Sequence, residues 1–132
     1  METNSKKTKS ILWTSYILQS LIVIMLLMGA FNNLLQTEMA VNEAVEMGYP
    51  KTSVLYLGIV LLISTILYAI PKTTFIGGLF LTAWLGGAVA THVIHNDPIT
   101  NILFPVIFGI LIWLSILLRN KKMRTIMLLK GE

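Results

Sequence analysis

The sequence predicts an all-α membrane protein, a transmembrane four-helix bundle, and three observations carry that expectation. The chain is 55% hydrophobic and only 12% charged over 132 residues, with a mean hydropathy of +0.78, too apolar for a soluble core of this size. Its charges gather at a few places and leave apolar runs at 11–35, 53–70, 73–95 and 99–118. Each is about 18 to 25 residues long, the length that a hydrocarbon layer about 30 Å thick requires. Backbone amides in lipid must bond within their own segment, so each run is read as a helix. The whole chain, 1–132, reads as one domain.

The first run follows Lys6, Lys7 and Lys9 as a secretory signal would. A signal core is about 7 to 15 residues, however, and Met28-Gly29-Ala30 is a poor cleavage site, so the run is expected to stay as a span. Between the first two runs, 37–47 (TEMAVNEAVEM) places Asn42, Glu43 and Glu46 on one arc at about 100° per residue, with Ala40, Val41, Ala44, Val45 and Met47 opposite. This is the pattern of a short amphipathic connector helix at the membrane surface, or of a lid over the mouth of the bundle. Gly48 sits where a left-handed cap ends a helix, and Pro50 follows. The second run stops at Ile70 because Pro71 disfavours α geometry in the residue before it. The turn after it is so short that the second and third helices form a hairpin. Asn96-Asp97-Pro98 makes the next turn, with Pro98 suited to the first helical position. Pro105 interrupts one backbone bond of the last helix and is expected to bend it.

Charge placement orients such a molecule. Lys6, Lys7, Lys9, Lys72, Arg119, Lys121, Lys122, Arg124 and Lys130 fall on one side of a four-pass chain, while Lys51, Glu38, Glu43, Glu46 and Asp97 fall on the other. By the positive-inside rule both termini are cytoplasmic, in the cell (inner) membrane. The net charge of +4 is therefore no argument for a nucleic-acid partner; the basic tail suits anionic lipid headgroups. With no cysteine, disulfide frameworks and thiolate redox or metal centres are excluded.

The third run carries the packing signal. Thr74, Gly78, Thr82, Gly86 and Ala90 recur at steps of four, widened by Gly77 and Gly87. Lipid gives helices no hydrophobic reason to associate, so a ridge of small residues is expected to bring backbones together. The same run ends in the only two histidines, His92 and His95, with Trp84 and Ala88 in line with His92. Ionisable groups at membrane depth are expensive, which makes His92 the first candidate for function. Three readings compete: a structural imidazole bonded to Tyr49, Tyr56 or a backbone carbonyl; a proton or quinone site with Trp84 as a stacking face; and a metal site completed by Asp97, Glu43 or Glu46. The metal reading is weak, because two histidines three apart lack a second motif. Asn32 and Asn33 end the first helix on the same side, and Gln19 is the polar residue of that helix hardest to dismiss as packing. The candidate ligand site is therefore His92, His95, Trp84, Asn32, Asn33 and Gln19.

The run Leu67-Tyr68-Ala69-Ile70-Pro71-Lys72-Thr73, then Leu81-Thr82, Leu85-Gly86-Gly87-Ala88-Val89-Ala90-Thr91-His92-Val93 and Asn96-Asp97-Pro98, resembles the signature of the DoxX-like family of small membrane proteins. Gly48-Tyr49-Pro50, Pro105, Gly109, Trp113 and Leu118-Arg119 extend the likeness over nearly the whole chain from about Trp13. Two places depart from it. Ile94-His95 stand where family members often carry a basic residue, and Gly29 is followed by Asn32 and Asn33 rather than by a charge. The resemblance implies a four-helix bundle, in a family whose relatives include subunits of quinone-linked sulfur oxidation or oxidative-stress complexes and distant chaperones of channel assembly. The expected role is an accessory or assembly subunit, or a binder of a small apolar ligand, without catalysis of its own. No cofactor is required by that role, although quinone is compatible with it. The alternatives are a quinone-linked oxidoreductase component using His92 and a small transporter acting as an oligomer. Lipid, a membrane partner or a second copy of the chain are the expected partners.

Overall fold

A computed structural model describes residues 2–128, and every described element is helical: α1 Glu2–Leu34, α2 Glu38–Glu46, α3 Ser53–Ala69, α4 Thr74–Ile94, α5 Ile99–Arg119 and α6 Lys121–Met127. Three of these, α1, α4 and α5, are long and apolar enough to cross a membrane. The apolar α3 has 17 residues, about 25 Å at 1.5 Å per residue. The expected boundaries hold within about a residue, with one exception. The first helix begins at Glu2 rather than Ile11, because nothing in 2–10 breaks a helix and a formed helix propagates outward at little cost. Its first buried residue is Ser15, so the extension carries Lys6, Lys7 and Lys9 beyond the packed region. The α6 turn was not foreseen; Asn120 caps it by accepting from the Met123 amide at 3.0 Å. Lys130 lies outside the described residues.

The four long helices form a ring. α1 packs on α3 and α5, α4 packs on the same two, and α1 lies diagonal to α4. Short connections enforce this order, since both the α3–α4 and α4–α5 turns join antiparallel neighbours. Apolar side chains such as Leu55, Ile59, Ile63, Ile107 and Ile110 face outward along the helices, as lipid-facing surfaces do. Within the ring, Ile22, Leu26, Leu61, Leu81, Leu85 and Ile112 make the core. Hydroxyls in the spans are satisfied locally: Ser64, Thr65, Thr74 and Thr82 each donate to the carbonyl four residues earlier at 2.7–2.8 Å, the usual solution where no water is available.

Glycine sets the closest approaches, but not where the ridge of small residues predicts. A Cβ at Gly77 would collide with the Tyr68 amide nitrogen and Cα, so α4 meets the backbone of α3 there. At Gly78 it would fall 2.9 Å from Ile116 Cδ1 of α5, and at Gly58 2.9 Å from Asn33 Cβ and the Leu34 amide of α1. Thr74 is buried, and Thr82 accepts from Trp113 Nε1 at 2.8 Å. The ridge therefore packs only from Thr74 to Thr82. At Gly86 and Gly87 an added Cβ meets nothing within 4 Å, and Ala90 is exposed. Toward its C-terminal end α4 borders open cavities instead of neighbouring backbone, which corrects the packing role expected of these three residues.

Gly77→Ala is therefore expected to cost about 2 kcal/mol or more through forced backbone displacement, whereas Gly86→Ala stays within about 0.5 kcal/mol of wild type. Thermal unfolding of both variants in one detergent checks this, and an equal loss for the two would refute the seam.

Candidate functional site

Two polar clusters occupy opposite ends of the ring. At the end carrying α2, Trp84, Ala88 and His92 run along one face of α4, as their spacing predicts. They line a cavity of about 410 Å³ together with Asn33 of α1, Leu57 of α3, Ala40 and Ala44 of α2, and Met47 just after it. On their other side the same three residues border a second space of about 270 Å³, lined by Leu26, Gly29, Leu61 and Phe108 in the middle of the ring. The Trp84 and His92 side chains thus separate a compartment under α2 from an apolar one between the helices.

The roof is held by specific contacts. Thr37 caps α2 by accepting from the Ala40 amide at 3.3 Å, and Gly48 with φ +87° ends it, as the sequence suggests. Most of the apolar arc turns inward, but Val45 is exposed, and Glu43 of the polar arc reaches the cavity wall. Tyr49, just after α2, pairs its hydroxyl with Thr91 Oγ1 at 2.5 Å, tying the connector to α4. That corrects one expectation, since Tyr49 bonds Thr91 and not His92.

The imidazole of His92 is held by Asp97. The α4–α5 turn passes through Asn96 in the left-handed region at φ +64°, a conformation asparagine tolerates better than most residues. The Asp97 amide then donates to the His92 carbonyl at 3.0 Å, and Asp97 Oδ2 lies 2.5 Å from His92 Nδ1. With Asp97 ionised, Nδ1 carries the proton and donates it, which leaves Nε2 as the acceptor. His95 is more exposed, with Nε2 3.9 Å from Asp97 Oδ1. Among the described residues no set of three His, Asp or Glu side chains is arranged to hold a metal ion.

Trp84 provides the unusual feature. Its indole Nε1 is buried and has no hydrogen-bond partner in the protein. An orphaned buried donor costs about 1–3 kcal/mol, and indole N–H groups normally find a partner when buried.

Of the residues singled out from the sequence, Asn33, Trp84 and His92 converge on this cavity. Asn32 does not line it; its carbonyl accepts from the Thr37 amide at 3.1 Å and closes α1. Gly87 lines it, while Gly86 borders a separate space of about 520 Å³ against Pro105 and Gly109 of α5. Gln19 belongs to the other cluster, at the end bearing both termini. There it donates to the Tyr68 carbonyl at 2.7 Å and accepts from Arg119. Tyr68 and Ser115 share a 2.5 Å hydroxyl contact, and Ser15 donates to the Ser115 carbonyl at 2.6 Å. Gln19 is thus a structural residue, because the Tyr68 carbonyl is left without an intrahelical donor where α3 ends. Leu57 carried no signal in the sequence, whereas Ala44 and Met47 were visible only as the apolar arc of a connector.

These features define a small helical membrane protein with a partly polar cavity roofed by an amphipathic helix. The chain belongs to the DoxX-like family, whose model matches residues 17–115. No curated protein and no solved structure matches it.

Removing the Tyr49 hydroxyl tests the roof. Tyr49→Phe is expected to weaken the seating of α2 by about 1 kcal/mol, seen as about fivefold faster amide hydrogen exchange over 38–46 with α1 and α5 unchanged.

Proposed function

We propose that this chain is a multi-pass membrane subunit that holds a small, largely apolar molecule bearing a hydrogen-bond acceptor in the cavity beneath α2. One observation carries the reading: the buried, unpartnered Nε1 of Trp84, a residue that lines a cavity large enough for a single ring system. A carbonyl oxygen of a bound molecule would take that hydrogen, and the indole face and Ala88 would flank its apolar body. Leu26, Leu61 and Phe108 beyond the wall would accept a short apolar substituent. A quinone headgroup fits these requirements, with Trp84 as donor and His92 facing it from the same wall. Nothing in the site resembles a nucleophile and base in contact, which favours an accessory or assembly role within a larger membrane complex over independent catalysis.

A second reading has its own support in the His92–Asp97 pair. A quinone supplies two-electron, two-proton chemistry when bound. For this chain, Asp97 would fix the His92 tautomer, and His92 Nε2 would hold or release a proton at the rim of the cavity. Exposed Glu43 on the same rim would connect it to water.

The membrane arrangement we propose has four spans, with α3 crossing alongside the three longer helices in the inner membrane. Both termini would be cytoplasmic. Lys6, Lys7, Lys9, Lys72, Arg119, Lys121, Lys122 and Arg124 fall at the terminal end of the ring, against Lys51 and four carboxylates at the α2 end, and this bias supports the orientation.

Trp84→Phe separates the ligand reading from simple packing. It keeps an aromatic ring and deletes the orphaned donor, so the ligand-free protein is expected to gain about 1–3 kcal/mol in detergent. Affinity for a short-chain benzoquinone, measured by calorimetry in the same micelles, is expected to fall about tenfold. Unchanged quinone affinity, or none in the wild type, would remove the proposal.

A further inference from the structure

The terminal end of the ring holds a further cavity, whose cationic lining contrasts with that of the space under α2. A space of about 380 Å³ opens between the α3–α4 turn and the α5–α6 junction, lined by Lys72 from the former and Arg119 and Lys121 from the latter. Phe75, Ile116 and Met123 complete its apolar wall. Residues 47 positions apart in the chain, Lys72 and Arg119, thus border one space.

These charges are not neutralised by the protein. Among the described residues the ion pairs are those of His92 and His95 with Asp97, at the far end of the molecule. Arg119 is half-buried and oriented by neutral groups only: it donates to Gln19 Oε1, and its guanidinium lies 5.0 Å from the centre of the Tyr16 ring. Such contacts fix where the cation points and leave its charge unspent. Lys72 and Lys121 are exposed and have no counter-ion among the described residues, and three cations around one space attract an anion supplied from outside.

We infer that this cavity binds the phosphate group of an anionic phospholipid. Phosphate is the chemistry that Arg and Lys recognise together, and the rest of the wall distinguishes a lipid from a free ion. The cavity sits where the apolar spans end, and from Phe75 the outer face of α4 continues through exposed Ile76, Leu79 and Phe80. A headgroup among Lys72, Arg119 and Lys121 would therefore leave its acyl chains on a continuous apolar track. The site is independent of the ligand proposed under α2, and either can fail without the other.

The test is lipid retention by the full chain, read by native mass spectrometry after release from mixed phosphatidylglycerol and phosphatidylcholine micelles. The wild type is expected to retain phosphatidylglycerol preferentially, and the double substitution Lys72→Gln with Lys121→Gln to cut that retention about tenfold. Two comparisons keep the outcome interpretable. Lys6→Gln with Lys7→Gln removes the same charge outside the cavity and is expected to change retention less than twofold, whereas Lys72→Arg with Lys121→Arg preserves it. Equal losses from both glutamine pairs, or no preference for phosphatidylglycerol, would overturn the inference. Displacement of the lipid by millimolar inorganic phosphate would also overturn it, in favour of a free-anion site. Helicity measured by circular dichroism confirms that each variant is folded before the comparison is made.

Discussion

Tyr68 is the point on which the other helices converge. It is fully buried near the end of α3, and each part of it engages a different neighbour. Its amide and Cα press against Gly77 of α4, its carbonyl accepts from Gln19 of α1, and its hydroxyl meets Ser115 of α5. The constraint beneath this knot is the unsatisfied end of a helix in a medium without water. α3 ends before Pro71, so the carbonyl of Tyr68, whose helical donor would have been the Lys72 amide, is met by a side chain from another helix. Once Gln19 supplies that donor, the rotation of α1 is set, and Arg119 follows because it donates to the other end of the same amide. The Leu67 carbonyl is served in a similar way by Thr73 Oγ1 at 2.7 Å.

The two ends of the molecule are built on different principles. At the terminal end polar groups are paired with one another, and backbone meets backbone across Gly77. At the α2 end the same helix, α4, borders cavities; its His92 pairs across a turn with Asp97, its Thr91 pairs with Tyr49 of the connector, and its Trp84 Nε1 has no partner. The backbone contacts of the terminal end hold the helices in register, while the α2 end leaves open volume along α4. α2 is well placed to regulate access: it has nine residues, a single side-chain cap and one hydroxyl tether through Tyr49.

Family membership sharpens this picture without naming a ligand. The matched region, 17–115, contains Gln19, Tyr68, Gly77, Trp84, His92, Asp97 and Ser115, so residues of both ends fall inside the shared domain. Arg119 and Lys121 of the cationic cavity lie just beyond the matched residues.

What the sequence by itself determined was local. The apolar run lengths, the stops at Pro71 and Pro98, the left-handed Gly48 and the split of charge between the two ends are all set by short-range backbone chemistry and by the thickness of a bilayer. The line Trp84, Ala88, His92 was legible for the same reason, since a spacing of four defines a helical face. The glycine ridge was only half legible: periodicity shows that Gly78 and Gly86 share a face, but not where along α4 a neighbour comes close. Gln19 shows the limit most clearly, being a polar residue in an apolar helix whose partners, Tyr68 and Arg119, are 49 and 100 positions away. Only the tertiary structure decided that Gln19 is a strut, that Tyr49 serves Thr91, and that Lys72 shares a cavity with Arg119. Each of these depends on the rotation of one helix against another, and that rotation is set by the sum of contacts around the ring.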